Sequence, residues 1–284
     1  MSIDLVSAVS RGLLNIAHRG ARSLAPENTL SAGRKALSLG ADMWEVDVRL
    51  SRDGCPVVVH DATLERISDA TLKFPRRKPW YVHDFSLEEL RSLDFGSWFN
   101  RDDPFGQIAA KSVTAFEQSQ YCGERILTLE EALVFTADND WLINVEIKNL
   151  PVSSGNGDIV KKVGELVVSL STEDRCIISS FNHTYLSEVK RVSGKIRTGV
   201  LVDGPHHDLR ELMLSLHAFS CHPGLRALRP KEVANLKETG FVVLVWVVND
   251  QKLAGVLRRR GVNGIFTDFP QNFLKAANQD KHTT

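Results

Sequence analysis

Residues 15–61, NIAHRGARSLAPENTLSAGRKALSLGADMWEVDVRLSRDGCPVVVHD, decide the fold. An apolar run from Leu13 to Ala17 leads into His18-Arg19-Gly20, and Val57-Val58-Val59 leads into His60-Asp61. Between them, Met43 to Val48 alternates polar and apolar residues. On a strand, residues i and i+2 share a face, so Glu45 and Asp47 point one way and Val46 and Val48 the other. Two carboxylates on one face repel unless a cation or a proton lies between them. A metal ion is the first inference from the pair. Asn28 is placed to cap a helix that runs to about residue 39, where Gly40 ends it. The turn Ser51-Arg52-Asp53-Gly54 is too short for a parallel crossover, which needs about a dozen residues. The run 56–60 therefore folds back antiparallel and carries His60 towards the end of the sheet that holds Glu45 and Asp47.

Outward from this stretch, strand-like runs follow at 141–147, 175–180, 196–202, 217–221, 241–248 and 263–267. They alternate with helical stretches at about 128–138, 158–170, 183–193, 208–215, 230–239, 250–260 and 270–278. With the strands at 13–17 and 43–49, and the hairpin arm set aside, this gives eight βα units. The predicted class is α/β, a TIM-type (β/α)8 barrel with a small insertion after the second strand, one domain over residues 1–284. Residues 62–127 make the insertion. They are too long for an ordinary connection, hold ten of the 21 aromatic residues, and contain the capping-box pattern Ser86-Leu87-Glu88-Glu89. They are expected to fold over the barrel mouth; the plainer alternative is packing on the barrel's side.

The composition excludes several classes. The 284 residues carry 35 basic and 35 acidic side chains, a net charge of zero, which predicts no nucleic-acid partner. Arg258-Arg259-Arg260 falls at the end of a predicted helix, where cations suit the dipole. Four cysteines lack Cys-x-x-Cys spacing, so neither a disulfide framework nor a zinc site is indicated, and Cys176 and Cys221 read as buried thiols. The first residues have no basic region before an apolar core, and no run approaches the roughly 18 apolar residues of a membrane span. A cytoplasmic chain without a membrane anchor is expected. Oligomeric state is left open.

Active sites of such barrels lie at the C-terminal strand ends. Those ends supply His18 and Arg19, Glu45 and Asp47, Glu146 and Lys148, Phe181, His222, Trp246 and Asp268. Glu45, Asp47 and Glu146 offer only hard oxygen ligands, which suit one divalent cation, magnesium or calcium with manganese as a third option, over zinc. With that cation, Arg19 and Lys148, the rim carries one net positive charge and attracts a phosphodiester monoanion; without it the rim is negative and repels one. Two histidines then divide the proton work, one taking a proton from the attacking hydroxyl and one giving a proton to the leaving alcohol. Alone, a Glu-x-Asp pair is a solvated strand face, a lone histidine a structural one, and Trp246 part of the core. Their convergence on one rim carries the functional reading.

Taken together, His18-Arg19-Gly20, Pro26-Glu27-Asn28-Thr29, Glu45-x-Asp47-Val48, Asp53-Gly54-x-Pro56-Val57-Val58-x-His60-Asp61, Glu146-Ile147-Lys148, Ser179-Ser180-Phe181, Val245-Trp246-x-Val248-Asn249 and Gly264-Ile265-Phe266-Thr267-Asp268-x-Pro270 resemble the glycerophosphodiester phosphodiesterase family. The resemblance spans residues 15–270. It implies that His18 and His60 are the catalytic acid–base pair, that Glu45, Asp47 and Glu146 bind the metal, that Arg19 and Lys148 hold the phosphate, and that Phe181 and Trp246 line the pocket. It also implies cleavage of small diesters such as glycerophosphocholine or glycerophosphoethanolamine to sn-glycerol 3-phosphate and an alcohol. The route implied is attack by the glycerol 2-hydroxyl through a cyclic phosphate. Asn182, Val247 and Asn263 stand where the family often has Asp, Thr and Asp. A lysophospholipase D acting on acylated substrates, with an acyl path in the aromatic insertion, is the alternative within the same fold. A phosphate-ligand binder without catalysis is the alternative outside it, disfavoured because both histidines and all three carboxylates are present.

Overall fold

The structure, a computed structural model, describes residues 4–149, 158–206 and 208–273. Eight parallel strands close on themselves: β1 (Leu14–Ala17), β2 (Met43–Leu50), β4 (Ile143–Ile147), β5 (Cys176–Ser180), β6 (Arg197–Val202), β7 (Ser220–Pro223), β8 (Val242–Val245) and β9 (Gly264–Thr267). Closure is made by β1, which pairs with β2 on one edge and β9 on the other. β3 (Pro56–Val58) is the antiparallel arm on β2, with Val48 opposite Val58, as the short turn at 51–54 requires.

Helices cover the barrel between strands: α2 (Leu30–Ser38), α7 (Leu129–Asp138), α8 (Ile159–Ser169), α9 (His183–Val192), α10 (Leu209–Ser215), α11 (Pro230–Glu238) and α12 (Gln251–Arg259). The last unit has only a 3₁₀ turn, Pro270–Phe273, among the described residues, and the expected helix beyond it, 274–278, lies outside them. Strand alternation divides two cores. Residues such as Trp44, Val46, Val145 and Ile178 face the helices, and Leu14, Ile16, Met43, Leu142, Ile177, Val242 and Leu244 fill the barrel's lower interior. Trp44 stacks on Trp141 at 5.7 Å and lies so close to α2 that a Cβ on Gly33 would stand 2.8 Å from its ring.

Two local features differ from the sequence reading. A helix not anticipated, α1 (Leu5–Ser10), is capped by Asp4 and buries Leu5, Ala8 and Val9 in the lower interior, closing the barrel's N-terminal end. Thr29, not Asn28, caps α2 by accepting from the Ala32 N–H. Asn28 instead takes a left-handed conformation (φ 59°). Its amide donates to Asp47 Oδ2 at 2.8 Å and accepts from the Asp47 N–H at 3.1 Å.

The 62–127 segment contains four short helices, α3 (Ala70–Lys73), α4 (Leu87–Arg91), α5 (Ser97–Asp102) and α6 (Ala115–Tyr121). Ser86 and Glu89 form the expected capping box of α4. Phe85, Trp98, Phe99 and Tyr121 bury themselves with Leu24, Ala25, Ala32, Val57 and Val59 in a core of their own. The segment therefore packs against the flank of the first two units, and none of its residues lines the cavity at the mouth. Most of its aromatics serve its own core, while Phe105 packs edge-on against Phe269 at 5.5 Å. Among the described residues no helix is long and apolar enough to cross a membrane.

Candidate active site

A cavity of about 260 Å³ opens at the C-terminal strand ends, lined on one side by His18, Arg19, Glu45, His60, Glu146 and Lys148 and on the other by Phe181, Leu201, Trp246, Val247 and Phe266. Eight of the nine residues singled out as site residues line it. Asp47, 1% exposed, lies just behind them. Ligand oxygens of Glu45, Asp47 and Glu146 fall within 4.8 Å of one another. The register explains this: Asp47 on β2 stands opposite Glu146 on β4, and Glu45 opposite Asn144, all on inward positions.

The electrostatics of the cluster fit a cation. Burial, then the charges of Asp47 and Glu146, push the Glu45 carboxyl well above its ordinary value. Burial, then the charge of Asp47, raise Glu146 as well, with Lys148 opposing them. Burial pushes Asp47 the same way, but Lys148 and Arg19 outweigh it and hold Asp47 below the usual range. Glu45 Oε2 accepts from the Arg19 N–H at 2.7 Å, whereas Glu45 Oε1 is buried with no hydrogen-bond partner. A buried, unpaired carboxylate oxygen among two other carboxylates is a donor set for a hard divalent ion. Lys148 Nζ sits 2.7 Å from Asp47 Oδ1 and 2.5 Å from Glu146 Oε1. The Arg19 guanidinium spans Glu27 at 2.8 Å and Asp47 at 3.2 Å.

Both histidines are oriented through Nδ1. His18 Nδ1 meets Asp268 Oδ1 at 2.8 Å, and His60 Nδ1 meets Asp61 Oδ1 at 2.7 Å. A carboxylate at Nδ1 favours a proton there and leaves Nε2 as the nitrogen free to exchange one. Burial lowers the His18 pKa; Asp268 opposes this, and Arg19 and Arg22 add to it. The ring is thus neutral near pH 7 and able to accept a proton. Asp268 is itself fixed by Asn249, which donates to its Oδ2 at 2.9 Å and accepts from its N–H at 2.9 Å.

One strand-end residue is misplaced by the sequence. The run at 217–221 predicts a strand end at 221 and with it His222 on the rim. The strand runs to Pro223, so His222 points into the barrel, fully buried, with Nε2 at 2.7 Å from Ser220 Oγ. Burial lowers its pKa to about 3. It stands under the cavity, and its carbonyl accepts from Trp246 Nε1 at 2.8 Å. Trp246 in turn meets Phe181 edge-on at 5.6 Å. Of the three departures from the family pattern, only Val247 lines the cavity. Asn182 caps α9, and Asn263 ties the lower end of β8.

Sequence reasoning gave no role to Asp61, Asp268, Asn249, Glu27, Arg22, Arg66 or Asn144. Asn144 was within reach of the i, i+2 rule, since it precedes Glu146 on the inward face; it lines the cavity and donates to Ser179 Oγ at 2.9 Å. Asp61 was signalled only by adjacency to His60.

Comparison with known proteins agrees with this geometry. The sequence pattern described as the glycerophosphoryl diester phosphodiesterase family matches residues 18–272. A glycerophosphodiester phosphodiesterase of Caldanaerobacter subterraneus subsp. tengcongensis is 33% identical, over 92% of this chain and 96% of its own. One of Bacillus altitudinis is 31% identical over 93% and 98%. An Oleispira antarctica phosphodiesterase, solved with the product sn-glycerol-3-phosphate, superposes with a TM-score of 0.75 at 28% identity, covering 93% of this chain and 96% of that one. With a closed eight-stranded barrel, a carboxylate cluster and two carboxylate-oriented histidines in one cavity, the chain belongs to the glycerophosphoryl diester phosphodiesterase family and is an enzyme of that kind, a phosphoric diester hydrolase.

Proposed function

We propose that the chain hydrolyses small glycerophosphodiesters, with glycerophosphocholine and glycerophosphoethanolamine as representative substrates, to sn-glycerol 3-phosphate and an alcohol. The observation that carries this reading is the pairing of two imidazoles, each with Nδ1 on a carboxylate, in the cavity that also holds Glu45 and Glu146. The product bound by the Oleispira antarctica relative supports the same choice of substrate.

Glu45, Asp47 and Glu146 would hold one divalent cation, magnesium, calcium or manganese, which when bound would polarise the phosphoryl oxygen. Arg19 and Lys148, at the cavity wall, receive the phosphate. Phe181 and Trp246 pack against the organic part of the substrate. The glycerol 2-hydroxyl oxygen forms a bond to phosphorus as its proton passes to Nε2 of one histidine. The phosphorus–oxygen bond to the alcohol breaks, and the leaving oxygen takes a proton from Nε2 of the other. Water then opens the cyclic phosphate with the two rings in exchanged roles. The 62–127 segment belongs to the same single domain as a brace on its flank.

A lysophospholipase D reading has less support, because no residue of the 62–127 segment lines the cavity and its Trp80, Trp98 and Phe99 are buried in the segment's own core. The test is release of glycerol 3-phosphate from glycerophosphocholine with magnesium, calcium or manganese, with EDTA, and with His18→Ala. Release that needs a cation and falls by about 10²–10⁴-fold in the variant is expected. No release from folded protein with any of the three ions overturns the proposal and turns attention to lysophosphatidylcholine.

A further inference from the structure

Glu27 lies in the loop between β1 and α2, 6% exposed, and does not line the cavity. Three guanidiniums converge on it. Arg19 Nη1 at 2.8 Å and Arg66 Nη2 at 2.6 Å share Oε1, and Arg22 Nη2 reaches Oε2 at 2.6 Å. Two of these arginines continue to the aspartates that hold the histidines. Arg22 Nη1 lies 3.4 Å from Asp268 Oδ1, the oxygen that meets His18 Nδ1. Arg66 Nε donates at 2.7 Å to Asp61 Oδ2, while Asp61 Oδ1 meets His60 Nδ1. The contacts form a chain, His18–Asp268–Arg22–Glu27–Arg66–Asp61–His60, with Glu27 at its centre.

We propose that Glu27 is a positioning residue that sets the orientation of both histidines at once, through one arginine–aspartate arm to each. The proposal rests on the acid–base roles given to His18 and His60 above. Its physical basis is charge balance in a poorly solvated place. Three guanidiniums packed together repel unless a carboxylate lies among them, and a planar guanidinium held at one edge by Glu27 presents its other edge in a fixed direction. Each aspartate is thereby aimed, and with it each Nδ1–H. The aromatic residues of the 62–127 segment complete the clamp: Phe105 covers Arg22 at 5.2 Å and Trp98 covers Arg66 at 5.3 Å. Burial raises the Glu27 carboxyl and the arginines more than reverse this, to about 2, so the hub keeps its charge across the working range. The segment that leaves the cavity unlined still touches the chemistry, one residue removed from each histidine's partner.

The experiment records imidazole nitrogen signals of the full-length ¹⁵N-labelled protein with magnesium, assigned through His18→Ala and His60→Ala, alongside glycerophosphocholine kinetics. Wild-type rings should both carry a proton on Nδ1. Glu27→Gln is expected to shift both Nδ1 signals away from that protonated state and to lower kcat at least about tenfold with a smaller change in KM. Arg66→Gln should move only His60, and Arg22→Gln only His18. A purely structural Glu27 would lower the melting temperature and leave both rings as they are, which overturns the proposal. If Glu27→Gln does not fold, the arm variants decide, and an Arg66→Gln that moves neither ring, or His18 as much as His60, is equally fatal. Full activity in His18→Ala would instead sink the acid–base reading, with the ring signals still reporting whether the coupling exists.

Discussion

Glu45 keeps one oxygen unpaired in a fully enclosed position beside two other carboxylates. A carboxyl whose pKa is raised on folding lowers stability as pH rises through that range, because the unfolded chain gives up its proton more readily. Glu45→Gln keeps the acceptor for the Arg19 N–H and removes one charge. In protein stripped with EDTA it is expected to stabilise the fold by about 1–2 kcal/mol, read as a higher melting temperature, while cation-dependent hydrolysis is lost. A lower melting temperature would show that the cluster is not under repulsion. The sequence made this residue legible because period-2 alternation fixes which face Glu45 and Asp47 share. It could not show Glu27 or the two arginine arms, because those contacts depend on where loops from β1, β3 and β9 meet in space. Asp268 was named only as a strand end, 250 positions from the ring it holds.

At the scale of elements, β7 shows how much hangs on two residues of strand length. The expected run at 217–221 is displaced because His217 takes a left-handed φ of 47° at the close of α10 and the strand starts only at Ser220. His222 thereby moves from rim to interior, and Gly199 on β6 makes room for it, since a Cβ there would stand 2.5 Å from the imidazole. Its depressed pKa, about 3 against 6.5, has a definite sign. Between those values the unfolded state binds the extra proton, so stability is complete above about pH 6.5 and is lost as pH falls towards 3. Going from pH 7 to pH 5, His222 should cost about 2 kcal/mol. Urea midpoints of wild type and His222→Gln at the two pH values check this: the variant should lack that part of the acid sensitivity, and an equal loss in both would refute it. The eight barrel strands themselves are readable because each is a short β-branched run between helical patterns. α1 was not, since six residues of Leu-Val-Ser-Ala-Val-Ser carry too little periodicity, and Asn28 and Thr29 are both competent caps side by side.

Over the whole molecule, the barrel separates its duties by end. The upper end gathers charge, and the lower end is apolar and sealed by α1. Leu5→Ala, at a position with no exposure, should therefore destabilise the protein by about 2–5 kcal/mol and leave kcat and KM for glycerophosphocholine unchanged at a temperature where the variant is folded. A matching fall in kcat would mean that the two ends are not independent. The seam where β1 meets β9 joins them in another sense. His18 belongs to the first strand and its aspartate follows the last, and the His18 N–H also bonds the Thr267 carbonyl. The carboxylate that fixes the His18 ring thus stands 250 positions from it, beyond the strand that shuts the barrel. Orientation of that ring is therefore a property of the closed barrel and of neither strand alone, since a chain cut short before Asp268 has no such carboxylate at His18 Nδ1.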